Sequence, residues 1–140
     1  MDYETVPADA FGRSLRGLGL NLLVRDVAEE VAFLTGVLGL TAHRVSRDFA
    51  IVAGGGALVQ IHADATYHAN PLLGLLPETP PRGAGIELRL YDIDPDTAAA
   101  RAEAHGTAIL QPPTDKPHGL REAFLLSPNG YCWVPSRPLP

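Results

Sequence analysis

Apolar and polar positions alternate along this chain in one pattern that occurs twice. The first copy reads Gly19-Leu20-Asn21-Leu22-Leu23-Val24-Arg25-Asp26-Val27, and the second reads Gly85-Ile86-Glu87-Leu88-Arg89-Leu90-Tyr91-Asp92-Ile93. Glycine, polar, apolar and aspartate positions match at a constant offset of 66 residues. Alternation of this kind predicts a strand with one buried face, and each copy then runs through Asp into a short helical pattern. A repeated supersecondary unit decides the architecture before any local assignment does.

Within the first unit a strand is expected over residues 15–24, with Leu20, Leu22 and Val24 on one face and Gly19, Asn21 and Leu23 on the other. Asp26 suits an N-cap, with Glu29 three residues on. Val27, Val31, Leu34 and Leu38 then recur at helical spacing, and Gly36 and Gly39 loosen the helix end. Short strands follow over residues 41–46, 49–53 and 57–63, with Gly54-Gly55-Gly56 as a hairpin turn. That triple glycine lacks the Lys-Ser/Thr and following helix of a phosphate cradle. The second unit repeats the plan: a strand over 85–91, an Asp94 cap with Pro95 at the first helical position, a helix over 97–105 ended by Gly106, and strands over 108–110, 121–126 and 131–134. Residues 111–120 read as a Pro- and Gly-punctuated loop, and Ser127-Pro128-Asn129-Gly130 as a turn.

The order is therefore β-α-β-β-β, twice, and the fold class is α+β. Residues 1–14 read as an arm or loop, and 15–138 as one domain with modules at about 15–64 and 85–137. The connector, 65–84, is Pro-rich but carries Leu72, Leu73, Leu75 and Leu76, too apolar for a free linker. It is expected to cover a pocket or an interface.

Composition narrows the function. Hydrophobic residues make up 46% of 140, enough for a real core. A net charge of −5 without Lys/Arg clusters argues against nucleic acid or an anionic membrane as partner. No apolar run approaches the roughly 20 residues of a membrane span, and Met1-Asp2-Tyr3-Glu4 is unlike a signal peptide, so cytoplasm is the expected location. One cysteine, Cys132, excludes an internal disulfide and a Cys-based zinc cluster, and reads as a small buried residue.

The double βαβββ plan resembles the vicinal oxygen chelate superfamily, which includes glyoxalase I, extradiol dioxygenases, fosfomycin-resistance enzymes and bleomycin-resistance proteins. The likeness spans about residues 15–135. It rests on Val24-Arg25-Asp26-Val27, Gly36-Val37-Leu38-Gly39-Leu40, the run Lys116-Pro117-His118-Gly119-Leu120-Arg121-Glu122-Ala123-Phe124, and Ser127-Pro128-Asn129-Gly130-Tyr131-Cys132-Trp133. The resemblance implies a curved mixed sheet, and in metal-binding members two ligands from each unit. Those positions fall here on Gly19, Gln60, Gly85 and Val134, of which only Gln60 carries a donor. The chain is most similar to the metal-free, bleomycin-resistance-like members, so no cofactor is expected.

With those positions as a guide, parity turns Asn21, Gln60, His62, Glu87 and Arg89 into the cavity, and Ile86, Leu88, Leu90 and Trp133 toward the helices. Phe49 and Tyr67 are candidate stacking surfaces, and His118 beside Arg121 is a candidate edge for an anionic or aromatic ligand. A relocated metal site would draw on Gln60, His62 and His68, though no motif marks one. His105 suits a helix C-terminus, and His43 a strand surface. The expected function is metal-independent binding or sequestration of a small organic compound. The alternative is a lyase, isomerase or dioxygenase with a relocated metal site or a Glu87 base. Unpaired sheet edges, the leucine-rich connector and the resemblance imply a homodimer.

Overall fold

The computed structural model describes residues 1–66, 69–77 and 81–140. Helix α1 (Ala8–Ser14) precedes strand β1 (Leu20–Val24), helix α2 (Val27–Gly36) and strands β2 (Thr41–His43), β3 (Phe49–Gly54) and β4 (Ala57–Ala63). Two short 3-10 turns, Asp64–Thr66 and Leu73–Leu75, lie in the connector. Strand β5 (Glu87–Leu90), helix α3 (Pro95–Ala104) and strands β6 (Ala108–Asp115), β7 (Leu120–Leu126) and β8 (Cys132–Pro138) complete the chain.

The repeat is real in three dimensions. Sheet A has the order β1-β4-β3-β2 and sheet B the order β5-β8-β7-β6, so the two are topologically identical. In each, the first and last strands pair in parallel and the rest pair antiparallel. Parallel pairing needs a crossover, and the capped helix of each unit supplies it. Asp26 accepts a hydrogen bond from the Glu29 N–H at 3.1 Å, and Asp94 from the Thr97 N–H at 3.0 Å. The caps lie two residues further apart than the strands do. The second unit absorbs the extra pair at Tyr91-Asp92, where Asp92 takes φ +83°. Gly55 and Gly56, at φ +56° and +81°, close the β3–β4 hairpin, a geometry that needs residues tolerant of positive φ at both central positions.

Leu22, Val24, Val52, Val59 and Ile61 of sheet A and Leu88, Leu90, Leu125 and Trp133 of sheet B turn inward with α2 and α3 into one buried cluster. The modules share that core and are also tied at their ends. Glu30, fully buried on α2, accepts from Asn129 N at 3.2 Å and Asn129 Nδ2 at 3.1 Å. Asn129 Oδ1 in turn accepts from Arg25 N at 2.9 Å. The Tyr131 hydroxyl donates to the Leu23 carbonyl at 2.8 Å, and Arg82 donates to the same carbonyl at 3.0 Å while gripping Asp64 with both terminal nitrogens. His105, the C-cap of α3, packs its ring against Gly36 of α2, where a Cβ would come within 2.7 Å.

Three expectations need correction. Residues 1–14 are not all loop: 8–14 form α1, and Phe11 is buried. The strand expected from residue 15 starts at Leu20, because 12–19 are exposed and lack a partner strand among the described residues. The loop expected over 111–120 is largely strand. β6 runs through Pro112 and Pro113, which sit in a register shift between Gln111 and Thr114 on an edge strand, where a missing N–H is tolerated.

Candidate functional site

Each sheet has a face turned away from its helix. Cross-strand pairing puts Asn21 opposite Gln60, Ile51 opposite Gln60, and Phe49 and Leu23 opposite His62. These residues share that face of sheet A, as parity predicts. On sheet B, Glu87 pairs with Cys132, Arg89 with Val134 and Glu122 with Ser136. Two open faces result, with different chemistry.

Sheet B carries the charged one. Arg89 is the hub. One terminal nitrogen binds Glu122, and the other lies 3.3 Å from Glu87 Oε1. Its guanidinium also lies 5.7 Å from the Tyr91 ring centroid. Glu122 is buried, and the His118 Nε2 reaches the same carboxylate at 3.3 Å from the turn before β7. Burial alone would raise the Glu122 pKa, but the bonds from Arg89 and His118 outweigh it and hold the carboxyl below its ordinary value. Burial likewise opposes the Arg89 charge, and Glu122 more than restores it. The Ser136 hydroxyl beneath is buried with no partner among the described residues. Two carboxylates, Glu87 and Glu122, thus share the one guanidinium of Arg89.

Next to it the same face becomes apolar. A cavity of about 430 Å³ is lined by Ile86, Glu87, Leu110, Phe124, Leu126 and Cys132, with the end of the connector along its rim. Phe124 and Glu122 are alternate residues of β7, as Glu87 and Arg89 are of β5, so the cavity runs directly into the charged group. Burial pushes the Cys132 thiol up, which leaves it protonated and poorly nucleophilic.

Sheet A carries the neutral face. Asn21 is exposed, Gln60 half-buried, and His62 stacks with Phe49 at 5.0 Å between ring centroids. Burial lowers the His62 pKa, so its imidazole is neutral at pH 7.

The structure thus brings Glu87, Arg89 and His118 together, and separately Asn21, Phe49, Gln60 and His62. It does not bring Arg121 to either group. Arg121 lies on the helix side of β7, where Asp96 at 2.8 Å and Asp115 at 2.9 Å occupy its guanidinium and hold its pKa above the ordinary value. Tyr67 and His68 lie outside the described residues. Glu122 was missed by sequence reading. Whether Arg121 or Glu122 faces the cavity is set by the register of β7 on β8, which the sequence alone does not give.

Among the described residues, the side chains at the positions paired across each sheet do not fit a divalent metal. The residue across from Gln60 is Asn21 rather than Gly19, and the one across from Val134 is Arg89 rather than Gly85. Neutral amides and a guanidinium cannot supply the charged or imidazole ligands such an ion needs. Among the described residues no cluster of three or more His, Cys, Asp or Glu side chains is arranged to hold one.

Comparison with known proteins places this geometry. A family model described as Glyoxalase/Bleomycin resistance protein/Dioxygenase superfamily matches residues 18–134. No curated protein matches the chain. A glyoxalase/bleomycin resistance protein/dioxygenase family enzyme from Burkholderia phytofirmans PsJN superposes with a TM-score of 0.72 at 19% identity, covering 86% of this chain and 96% of its own. A glyoxalase/bleomycin resistance protein/dioxygenase from Nocardioides gives 0.64 at 24% identity, covering 94% and 92%. TioX from Micromonospora sp. ML1 gives 0.63 at 22%, covering 89% and 98%. At these identities the likeness establishes a shared fold, and a fold of this kind hosts many chemistries. Among the described residues no helix is long and apolar enough to cross a membrane.

Proposed function

The chain belongs to the glyoxalase/bleomycin resistance protein/dioxygenase superfamily, and within it we propose a metal-independent binding protein for a small organic compound. One observation carries the reading: an apolar cavity of about 430 Å³ on sheet B that ends against the group of Glu87, Arg89, Glu122 and His118. Pockets of this size with a few placed polar groups suit a compact organic ligand. The excess carboxylate favours a ligand whose apolar body ends in a hydroxyl or amine that donates to Glu87. The active assembly is a C2 homodimer with the connector at its interface, where Leu72 and Leu75 are exposed.

Calorimetric titration with a panel of phenols and aromatic amines tests the reading. Phe124→Lys and Glu87→Gln should each weaken binding at least roughly tenfold while the fold stays intact. Binding undiminished by both changes, or stoichiometric transition metal in purified protein, overturns it.

A metal-free catalyst is the second reading. The favouring observation is that buried, ionised Glu122 lies 3.3 Å from the half-exposed His118 imidazole. A carboxylate that accepts from Nε2–H leaves Nδ1 as the basic atom. Glu87 is the poorer base, since it is exposed and paired with Arg89. His118→Gln should abolish turnover but leave binding intact if this reading holds.

A further inference from the structure

Strands β1 and β4 pair in parallel with Val24 opposite Ala63, so their carboxyl ends stop at the same level. The residues that follow, Arg25 and Asp64, both line a cavity of about 410 Å³. The connector contributes Leu73, Leu76 and Pro77 to it, and Arg82 lies at the connector's far end. None of the described lining residues belongs to a strand, so this cavity is off the open faces of both sheets. It also divides the connector leucines: Leu73 and Leu76, which line it, are half-buried, while Leu72 and Leu75 are exposed.

The two arginines differ in how they are held. Arg82 is fixed. Its backbone N–H donates to the Gly130 carbonyl at 3.0 Å, and its terminal nitrogens hold Asp64 at 2.7 and 2.6 Å and the Leu23 carbonyl at 3.0 Å. Its Nε–H is buried without a partner among the described residues, so protein acceptors do not fully meet its charge. Arg25 is exposed. Its backbone N–H is pinned by Asn129 Oδ1 at 2.9 Å, but its guanidinium has no hydrogen-bond or ion-pair partner among the described residues. At the matching position of the second unit, 66 residues on, stands Tyr91, so the fold itself does not require an arginine there. With Asp64 committed to Arg82, the described lining keeps one net positive charge beside apolar walls.

We propose that this cavity is a second binding site, for a monoanionic organic carboxylate. The carboxylate pairs with Arg25, Arg82 adds a fixed positive charge to the same wall, and the apolar body lies against Leu73, Leu76 and Pro77. A single net charge suits a monoanion better than a phosphate dianion. The site is separate from the cavity on sheet B and takes the opposite class of compound, an anion rather than a hydroxyl or amine donor.

The test titrates the full chain with sodium octanoate at fixed ionic strength. Calorimetry should give a Kd of about 1 mM or below. Arg25→Gln should weaken binding at least roughly tenfold with the melting temperature unchanged, since the side chain is exposed. Octan-1-ol, which keeps the body and lacks the charge, should bind at least roughly tenfold more weakly, and equimolar inorganic phosphate should not displace octanoate. Amide NMR shifts should move at Arg25, Asp64, Ala65, Leu73 and Leu76. Weaker binding by the unaltered chain overturns the proposal, as does undiminished binding by folded Arg25→Gln, equal binding of the alcohol, or displacement by phosphate. Shifts confined to Glu87, Phe124 and Cys132 would place the anion on sheet B and overturn it as well. Failure of phenols and amines to bind on sheet B changes none of these outcomes, so the two sites stand or fall separately.

Discussion

Glu30 on α2 and Asn129 in the β7–β8 turn are 99 residues apart in sequence, yet the Glu30 carboxylate receives both the backbone and the side-chain N–H of Asn129. The first module's helix is thereby fastened to the second module's turn by a fully buried carboxyl group.

Removing the acceptor strands those donors. Glu30→Ala should destabilise the protein by about 2–3 kcal/mol in urea titration, because buried unpaired donors carry their full desolvation cost. Glu30→Gln keeps an acceptor and discards a buried charge, so it should be neutral or stabilising at pH 7. A loss for Gln equal to that for Ala would show that the charge itself holds the joint.

Opposite pH dependences follow for two buried carboxyl groups. Burial raises the Glu30 pKa more than Ser127, Asn129 and Trp133 lower it. Its stability contribution is full below the unfolded value of about 4.3 and lost as pH rises through the folded value, so the advantage of Glu30→Gln should shrink on acidification. Glu122 has a lowered folded pKa. Its contribution is present above about 4.3 and lost as pH falls through the folded value, so the deficit of Glu122→Gln should shrink in acid. Parallel melting curves from pH 7 down to about pH 2 read both signs, the Glu122 change only below about 4.3.

Arg82 should be the most costly arginine to lose. Its side chain is 3% exposed and holds both Asp64 and the Leu23 carbonyl. Asp64 is 31% exposed, which discounts the cost of leaving it unpaired. Arg82→Ala is expected to cost about 2 kcal/mol. Arg121→Ala, by contrast, should leave the denaturation midpoint nearly unchanged, since its ion pairs with Asp96 and Asp115 lie in solvent.

EDTA should leave the melting temperature unchanged, since the residues opposite one another are Asn21 and Gln60 in one module and Arg89 and Val134 in the other, which offer no charged or imidazole ligand. A drop of several degrees that one divalent ion restores would contradict this.

Light scattering at micromolar concentration should return twice the 14.9 kDa chain mass. A chain that remains single on concentration contradicts the dimer and leaves Leu72 and Leu75, both exposed on the connector, facing solvent.

The repeat at Gly19 and Gly85 made the fold legible. Period-two alternation with one buried face survives in sequence as Leu22/Val24 and Leu88/Leu90, and the caps Asp26 and Asp94 mark where each helix begins. Face parity likewise carried Asn21, Gln60, Glu87 and Arg89. Arg121 and Glu122 were harder, because adjacent residues of one strand face opposite ways. Without the observed register, no local rule says which of the two meets Arg89. α1 was hidden for another reason: with seven residues and a single buried side chain it has almost no periodicity to read, and tertiary contact decides it. The Glu30–Asn129 joint is a pairing between distant positions that nothing local announces.

The double proline in β6 bears on how these molecules behave at high concentration. β6 is an outer strand of sheet B, and Pro112 and Pro113 interrupt its ladder at a register shift. Neither residue has an N–H to offer an incoming strand, and the irregularity bends the backbone away from a straight template. That flank cannot serve as a seed for stacked, cross-strand fibres. The sheet is free to grow only along less protected rims, and replacing both prolines with a β-branched residue would be expected to turn a quiet border into a sticky one.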